Sequence, residues 1–304
     1  MGRVESTAPV TAFVLAGGGV RGAVHVGQLR ALYERGITPD LIVGTSVGAI
    51  NGAVVARNPH RDVAEEILGM WLTDEARAVF GQSWLSQLGR VVRGRTHTLS
   101  DRPLVDLITM HFPDDARIED LALPFVTVAT SIERAAEKAF DSGPLVPAVV
   151  ASSTLPGLLP AAEIDGEHYL DGGLVASVPL GQAVRRGATR IYVLQAGQLN
   201  RELAAPRSMV DNLRVSVDIS RRHSFTHALE HVPPGVSVHV LPTGGPLRAR
   251  RGLKSLMSLE HTVERADLAY EATAAELDRL AAAGPAAGRL TGAGTPPPRP
   301  EPTA

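Results

Sequence analysis

Gly44-Thr45-Ser46-Val47-Gly48 follows the apolar run Leu41-Ile42-Val43 and precedes Ala49-Ile50-Asn51-Gly52-Ala53-Val54-Val55-Ala56. The order is buried strand, G-x-S-x-G, small-residue helix, in which a serine rides on a sharp strand-to-helix turn, the nucleophile elbow. Such a turn strains the backbone at the serine, so glycines beside it let strand and helix pass closely. Ser46 Oγ then stands clear of the main chain. The N–H of Val47 and the positive end of the helix dipole lie beside the place where a tetrahedral oxyanion would form. Glycine and serine also make plain tight turns, so the pentapeptide by itself leaves a structural reading open.

Upstream, residues 10–15 form a continuous apolar run suited to a buried parallel strand. It enters Gly17-Gly18-Gly19-Val20-Arg21-Gly22, and residues 23–35 carry Val26, Leu29, Leu32 and Tyr33 at helical spacing. A glycine loop opening a helix presents backbone N–H groups to an anion. One candidate anion is a dinucleotide pyrophosphate, because Gly17, Gly19 and Gly22 satisfy G-x-G-x-x-G. That fingerprint also needs an acid at the end of the second strand, where it bonds a ribose hydroxyl. The nearest acid, Asp40, stands before residues 41–43, and their far end is occupied by the serine elbow. The other candidate is the oxygen of a reacting acyl group, held by the N–H groups of Gly18 and Gly19. Two adjacent parallel strands would then bring oxyanion hole and nucleophile to one sheet edge. This second reading is preferred; a purely structural glycine turn is the third.

Composition narrows the classes. With 304 residues and 44% hydrophobic content the chain can bury a substantial core. A net charge of −2 gives no electrostatic case for nucleic acid. The absence of cysteine excludes a disulfide scaffold, thiol catalysis and Cys-ligated metal, and fits a cytoplasmic protein. No apolar run is long enough to span a bilayer and the N-terminus lacks a signal-peptide pattern, so membrane contact is expected to be peripheral. No His-Glu-x-x-His or comparable cluster argues for a metal site.

Further on, residues 62–71 read as an amphipathic helix, and residues 73–113 give a weaker pattern that mixes Trp84, Leu85 and Leu88 with Arg90, Arg93 and Arg95. Within it, residues 100–110 read as a helix with an N-cap signal at Ser100. A buried strand is expected at 125–130, the end of a short one at 139–140 and a short helix at 147–152. Asp165-Gly166 marks a hairpin whose second arm ends at Asp171-Gly172-Gly173. Considered alone, Asp-Gly-Gly is a turn; a carboxylate projecting there could equally serve Ser46 as general base. Residues 178–186 suit a helix, 190–194 a buried strand and 236–241 an edge strand. Helices are expected around Met209, Leu213 and Val217, with Arg221 and Arg222 on the polar side, and over 253–280. Of the histidines that follow Asp171, His227 and His261 fall in predicted helices, and neither these nor His231 and His239 sit in a distinctive loop. The expected organisation is a flexible N-terminus at 1–9, one domain at 10–283 and a disordered Gly/Ala/Pro-rich tail at 284–304.

Taken jointly, the glycine loop, the serine elbow and Asp171-Gly172-Gly173 resemble the patatin-like phospholipase family of serine acyl hydrolases. Ala151-Ser152-Ser153-Thr154-Leu155-Pro156-Gly157 is similar to that family's Ala-Ser-x-x-x-Pro segment. The resemblance implies a patatin-like three-layer α/β/α fold around a mostly parallel sheet. It implies Ser46 as nucleophile and Asp171 as its base in a dyad without histidine, and turns the reading of Asp171 from turn to catalyst. It further implies oxyanion N–H groups from Gly17, Gly18 and Gly19 beside that of Val47. Arg21 would help hold the loop, and Gly22, Gly44, Gly48, Gly172 and Gly173 would shape the turns. The implied substrate is a lipid acyl ester, phospholipid or lysophospholipid, with no cofactor and no metal. A nucleotide-binding oxidoreductase and a silent lipid- or protein-binding module of the same fold are the alternatives.

Overall fold

The structure is a computed structural model that describes residues 9–80, 100–197, 203–207, 209–245 and 259–283. The expectations for the N-terminus before residue 9, for Trp84 to Arg95, for the helix start at 253–258 and for the tail lie outside the described residues.

In chain order the strands are β1 (Thr11–Leu15), β2 (Leu41–Thr45), β3 (Phe125–Ser131), β4 (Ala136–Phe140), β5 (Ala162–Ile164), β6 (Glu167–Asp171), β7 (Arg190–Leu194) and β8 (Ser237–Leu241). The helices are α1 (Val24–Glu34), α2 (Val47–Arg57), α3 (Val63–Trp71), α4 (Asp74–Phe80), α5 (Arg102–Thr109), α6 (Leu145–Ser153), α7 (Gly173–Ala176), α8 (Leu180–Arg185), α9 (Met209–Glu230) and α10 (Thr262–Ala283). The strands form one sheet in the order β5-β6-β3-β2-β1-β7-β8, with β4 on β3. β3, β2, β1, β7 and β8 run parallel, and β4, β5 and β6 add antiparallel pairs at one end.

The apolar runs that read as buried strands are buried on both faces. Along β1, Phe13 and Leu15 face one cluster with Ile42, Phe125 and Leu194, while Ala12 and Val14 face the other with Val43, Val126 and Val193. This period of two inside an unbroken apolar run is what helices on both faces of a parallel sheet require. The first cluster takes in α1, α2, α3, α5, α6 and α10; the second takes in α8 and α9. Each fully buried large side chain contributes roughly 1.5–3 kcal/mol relative to exposure.

Departures from the sequence reading have local causes. β4 ends at Phe140 as expected, but its start at Ala136 was not marked, because Ala136, Glu137 and Lys138 are exposed and give no apolar signal. α8 begins at Leu180 rather than 178, since Pro179 occupies its N-cap. His261 lies in a 3-10 turn (Leu259–His261), not in the helix that follows. The short α7, which starts at Gly173, was not anticipated.

β3 positions the site. β4 runs along one edge of β3 from Thr127 to Ser131, so the other partners of Val128 and Ala129 must share the opposite edge. Those partners are Thr45, at the end of β2, and Asp171, at the end of β6. Two strands of opposite direction therefore meet end to end on β3, and the residues beyond each end face one another.

Candidate active site

Ser46 sits between β2 and α2 with φ 57° and ψ −127°, a left-handed conformation in a non-glycine residue. The strain is held by close packing: a Cβ at Gly44 would strike the carbonyl of Gly48, and one at Gly48 the carbonyl of Leu15. The Ser46 N–H donates to Ser152 Oγ at 2.9 Å, and Ser152 Oγ donates on to the Val128 carbonyl at 2.6 Å. Ser152 thus ties the elbow to β3. Two main-chain bonds from the same stretch hold the other partner: Asp171 N–H donates to the Thr154 carbonyl at 2.7 Å and Gly172 N–H to that of Ser152 at 3.2 Å. The stretch around Ala151 to Pro156 therefore pins both ends of the site.

Ser46 Oγ donates to Asp171 Oδ2 at 2.6 Å, and Oδ1 of the same carboxylate accepts the Gly173 N–H at 2.7 Å. Both groups are sequestered, Ser46 9% and Asp171 3% exposed. Burial raises the Asp171 carboxyl above its ordinary value, opposed by the Ser46 hydroxyl, the Gly173 N–H and the positive charge of Arg221. A carboxylate destabilised in this way is a stronger base than one in water.

The glycine loop faces this pair. A Cβ on Gly17 would lie 3.3 Å from Ser46 Cβ, so the loop approaches the elbow as closely as a side-chain-free residue allows. Gly17 N–H is committed to the Ser177 carbonyl at 2.8 Å. Of the residues expected to line the oxyanion hole, Gly17 thus contributes close approach rather than a spare donor. Among the described residues the N–H groups of Gly18, Gly19 and Val47 meet no acceptor, and Val47 opens α2 at its positive end. Gly19 has φ 58°, which turns the chain at the loop's tip. Arg21 Nε donates to the Gly18 carbonyl at 3.3 Å. Gly22 packs against Val47 and Trp71, and a Cβ on Gly172 would strike the carbonyl of Val128.

Beneath the loop lies a polar network that the sequence did not signal. Asn51, on α2, donates Nδ2 to the Gly22 carbonyl at 3.0 Å and lies 3.2 Å from His25 Nδ1, while its Oδ1 accepts Trp71 Nε1 at 3.2 Å. His25 is fully buried, and burial pulls it down to about 3, opposed in part by the Leu194 backbone. Burial thus favours its neutral form. The network ties the helical turn after the glycine loop to the helix that follows Ser46.

The other histidines are elsewhere. His239 stacks on Tyr192 at 5.0 Å on the β7–β8 side of the sheet, His227 and His231 lie side by side on and after α9, and His261 pairs with Glu264. Asp40 accepts the Thr11 N–H at 2.8 Å, at the opposite end of the sheet from the glycine loop, so it cannot serve a ribose there. Among the described residues, no group of three or more acidic, histidine or cysteine side chains could hold a metal ion, and no helix is long and apolar enough to cross a membrane.

A family model described as patatin-like phospholipase matches residues 13–184. The chain is similar to "Patatin-like phospholipase domain-containing protein ZK370.4" of Caenorhabditis elegans, 33% identical over 191 residues, covering 61% of this chain and 13% of that protein. It is similar to "Neuropathy target esterase sws" of Drosophila melanogaster, 32% identical over 186 residues, covering 60% and 13% respectively. It is also similar to "Lysophospholipase NTE1" of Mycosarcoma maydis, 30% identical over 208 residues, covering 66% and 10%. The chain thus spans only 10–13% of the length of these relatives.

Proposed function

The chain belongs to the patatin-like phospholipase family, and from that premise we propose that it is a serine hydrolase cleaving the carboxylic esters of lipids, phospholipid or lysophospholipid, through an acyl-enzyme. The observation that carries the reading is the 2.6 Å hydrogen bond from Ser46 Oγ to Asp171 Oδ2 at a strained strand-to-helix turn. Asp171 takes the proton of Ser46 as Oγ attacks the ester carbonyl, and the N–H groups of Gly18, Gly19 and Val47 receive the oxyanion. Collapse of the tetrahedral species returns the proton to the leaving alkoxide. Water, deprotonated by the same Asp171, then attacks the acyl-enzyme and frees the fatty acid. Similarity to a relative named lysophospholipase supports a lipid ester as the substrate class.

The test is labelling by a fluorophosphonate, read by peptide mass, on wild type, Ser46→Ala and Asp171→Asn. We expect one adduct, on Ser46, absent from the first variant and slowed by about two or more orders of magnitude in the second. Folded wild-type protein that takes no label at Ser46 would refute the proposal.

A further inference from the structure

An oxyanion donor of the main chain is aimed by whatever holds the carbonyl of its own peptide, because a trans amide fixes C=O and N–H in opposite directions. The N–H of Gly18 shares a peptide with the carbonyl of Gly17, and that carbonyl accepts Nη2 of Arg221. Nε of the same guanidinium donates to Ser177 Oγ at 2.7 Å. Ser177 in turn accepts the Gly17 N–H on its own carbonyl at 2.8 Å. Gly17 is thereby held on both its polar groups, between Ser177 and a cation, while its α-carbon lies against Ser46. Arg221 comes from α9, outside the residues that match the family model.

We propose that Arg221 is a positioning residue for acyl transfer: it locks the Gly17–Gly18 peptide so that the Gly18 N–H meets the developing oxyanion. The inference rests on Ser46 being the nucleophile. The rigid fork of a guanidinium suits the task, since it reaches two acceptors at once where an ammonium acts as a point charge. Its bond to the Gly17 carbonyl is charge-assisted and polarises the amide, which strengthens the N–H on the other side. The same charge acts on the base. The charged groups around Arg221 are Arg21 from the glycine loop, Asp218 from its own helix and Asp171. Asp171 is acted on by the charge of Arg221 and by hydrogen bonds from the Ser46 hydroxyl and the Gly173 N–H.

Steady-state hydrolysis of a short p-nitrophenyl ester against pH, on Arg221→Met and Arg221→Lys, separates this role from simple support. Arg221→Met should lower kcat by roughly 10–100-fold with KM little changed, somewhat less than outright deletion of an oxyanion donor. It should also move the acidic limb of the pH profile upward, because Asp171 loses a stabilising charge. Arg221→Lys should return the limb toward wild type without restoring kcat. A folded Arg221→Met with wild-type kcat and limb overturns the proposal. If Arg221→Met does not fold, Ser177→Ala decides: it removes one anchor of the guanidinium but keeps the main-chain bond to Gly17, and an unchanged kcat overturns the proposal. Wild type without Ser46-dependent turnover overturns both this inference and the reading beneath it, whereas active wild type with an indifferent Arg221→Met overturns this one alone.

Discussion

At the scale of single residues, the site works against the stability of its own fold. Asp171 is buried, and its carboxyl is raised above the ordinary value of 3.8 chiefly by desolvation. Between 3.8 and the raised value the folded chain holds a proton that the unfolded chain releases, so stability falls as pH rises through that window. Above that window the full penalty is present, and part or all of it is already present at pH 7. Asp171→Asn removes it while keeping an acceptor for Gly173 N–H, so the variant should melt higher than wild type at pH 7 and no higher near pH 3, while its activity collapses. Calorimetry at the two pH values checks this; equal melting temperatures at pH 7 would contradict it. Ser46 was legible in the sequence because it follows an apolar strand between two glycines, whereas Asp171, closing the mixed strand Glu167–Asp171, read as a turn until the joint resemblance singled it out. Arg221 was not: it read as the polar side of a helix, and its partner Gly17 is 204 positions away. No local pattern encodes such a contact.

At the scale of elements, small residues decide how closely α2 and the sheet can approach. Every residue of α2 from Val47 to Ala56 is buried, and Gly48 lies against the main chain of β1 with no room for a Cβ. Gly48→Ala should therefore cost about 3 kcal/mol or more, read as a lower urea midpoint, because the obstacle is backbone and cannot rotate away. Gly69, inside α3, has open space around its α-carbon. Gly69→Ala should gain roughly 0.5–1 kcal/mol, the ordinary benefit of alanine in a helix. Equal effects at the two positions would show that close approach is not what the elbow glycine provides. Element type was readable wherever burial was one-sided or complete. Only the end of β4 was readable, because its exposed Ala, Glu and Lys carry no hydrophobic period, and α7 was not, because four residues are too few to show one.

At the scale of the whole molecule, the buried network of His25, Asn51 and Trp71 joins α1, α2 and α3 under the glycine loop. His25 ionises near 6.5 in the unfolded chain and at about 3 when buried. The unfolded state therefore binds the extra proton first, and stability present above 6.5 is lost as pH falls toward 3, by about 1.4 kcal/mol per unit. Replacing His25 by Gln should flatten the slope of unfolding free energy between those limits by one proton. An unchanged slope would place the acid sensitivity elsewhere. The overall layering was legible from the strand, loop and helix order together with the family resemblance, whereas this network joins helices through side chains whose meeting depends on the finished packing.

The end-to-end meeting of β2 and β6 on one edge of β3 has a consequence for the chain during its synthesis. Ser46 leaves the ribosome 125 residues ahead of Asp171. The strand that aligns them contributes neither reacting group, and non-local strand pairings form late. A nascent or truncated chain can thus display its serine without the carboxylate proposed to activate it. On the proposed mechanism, reactivity toward an ester is withheld until the last partner of β3 has docked, so the order of translation itself acts as a safety catch.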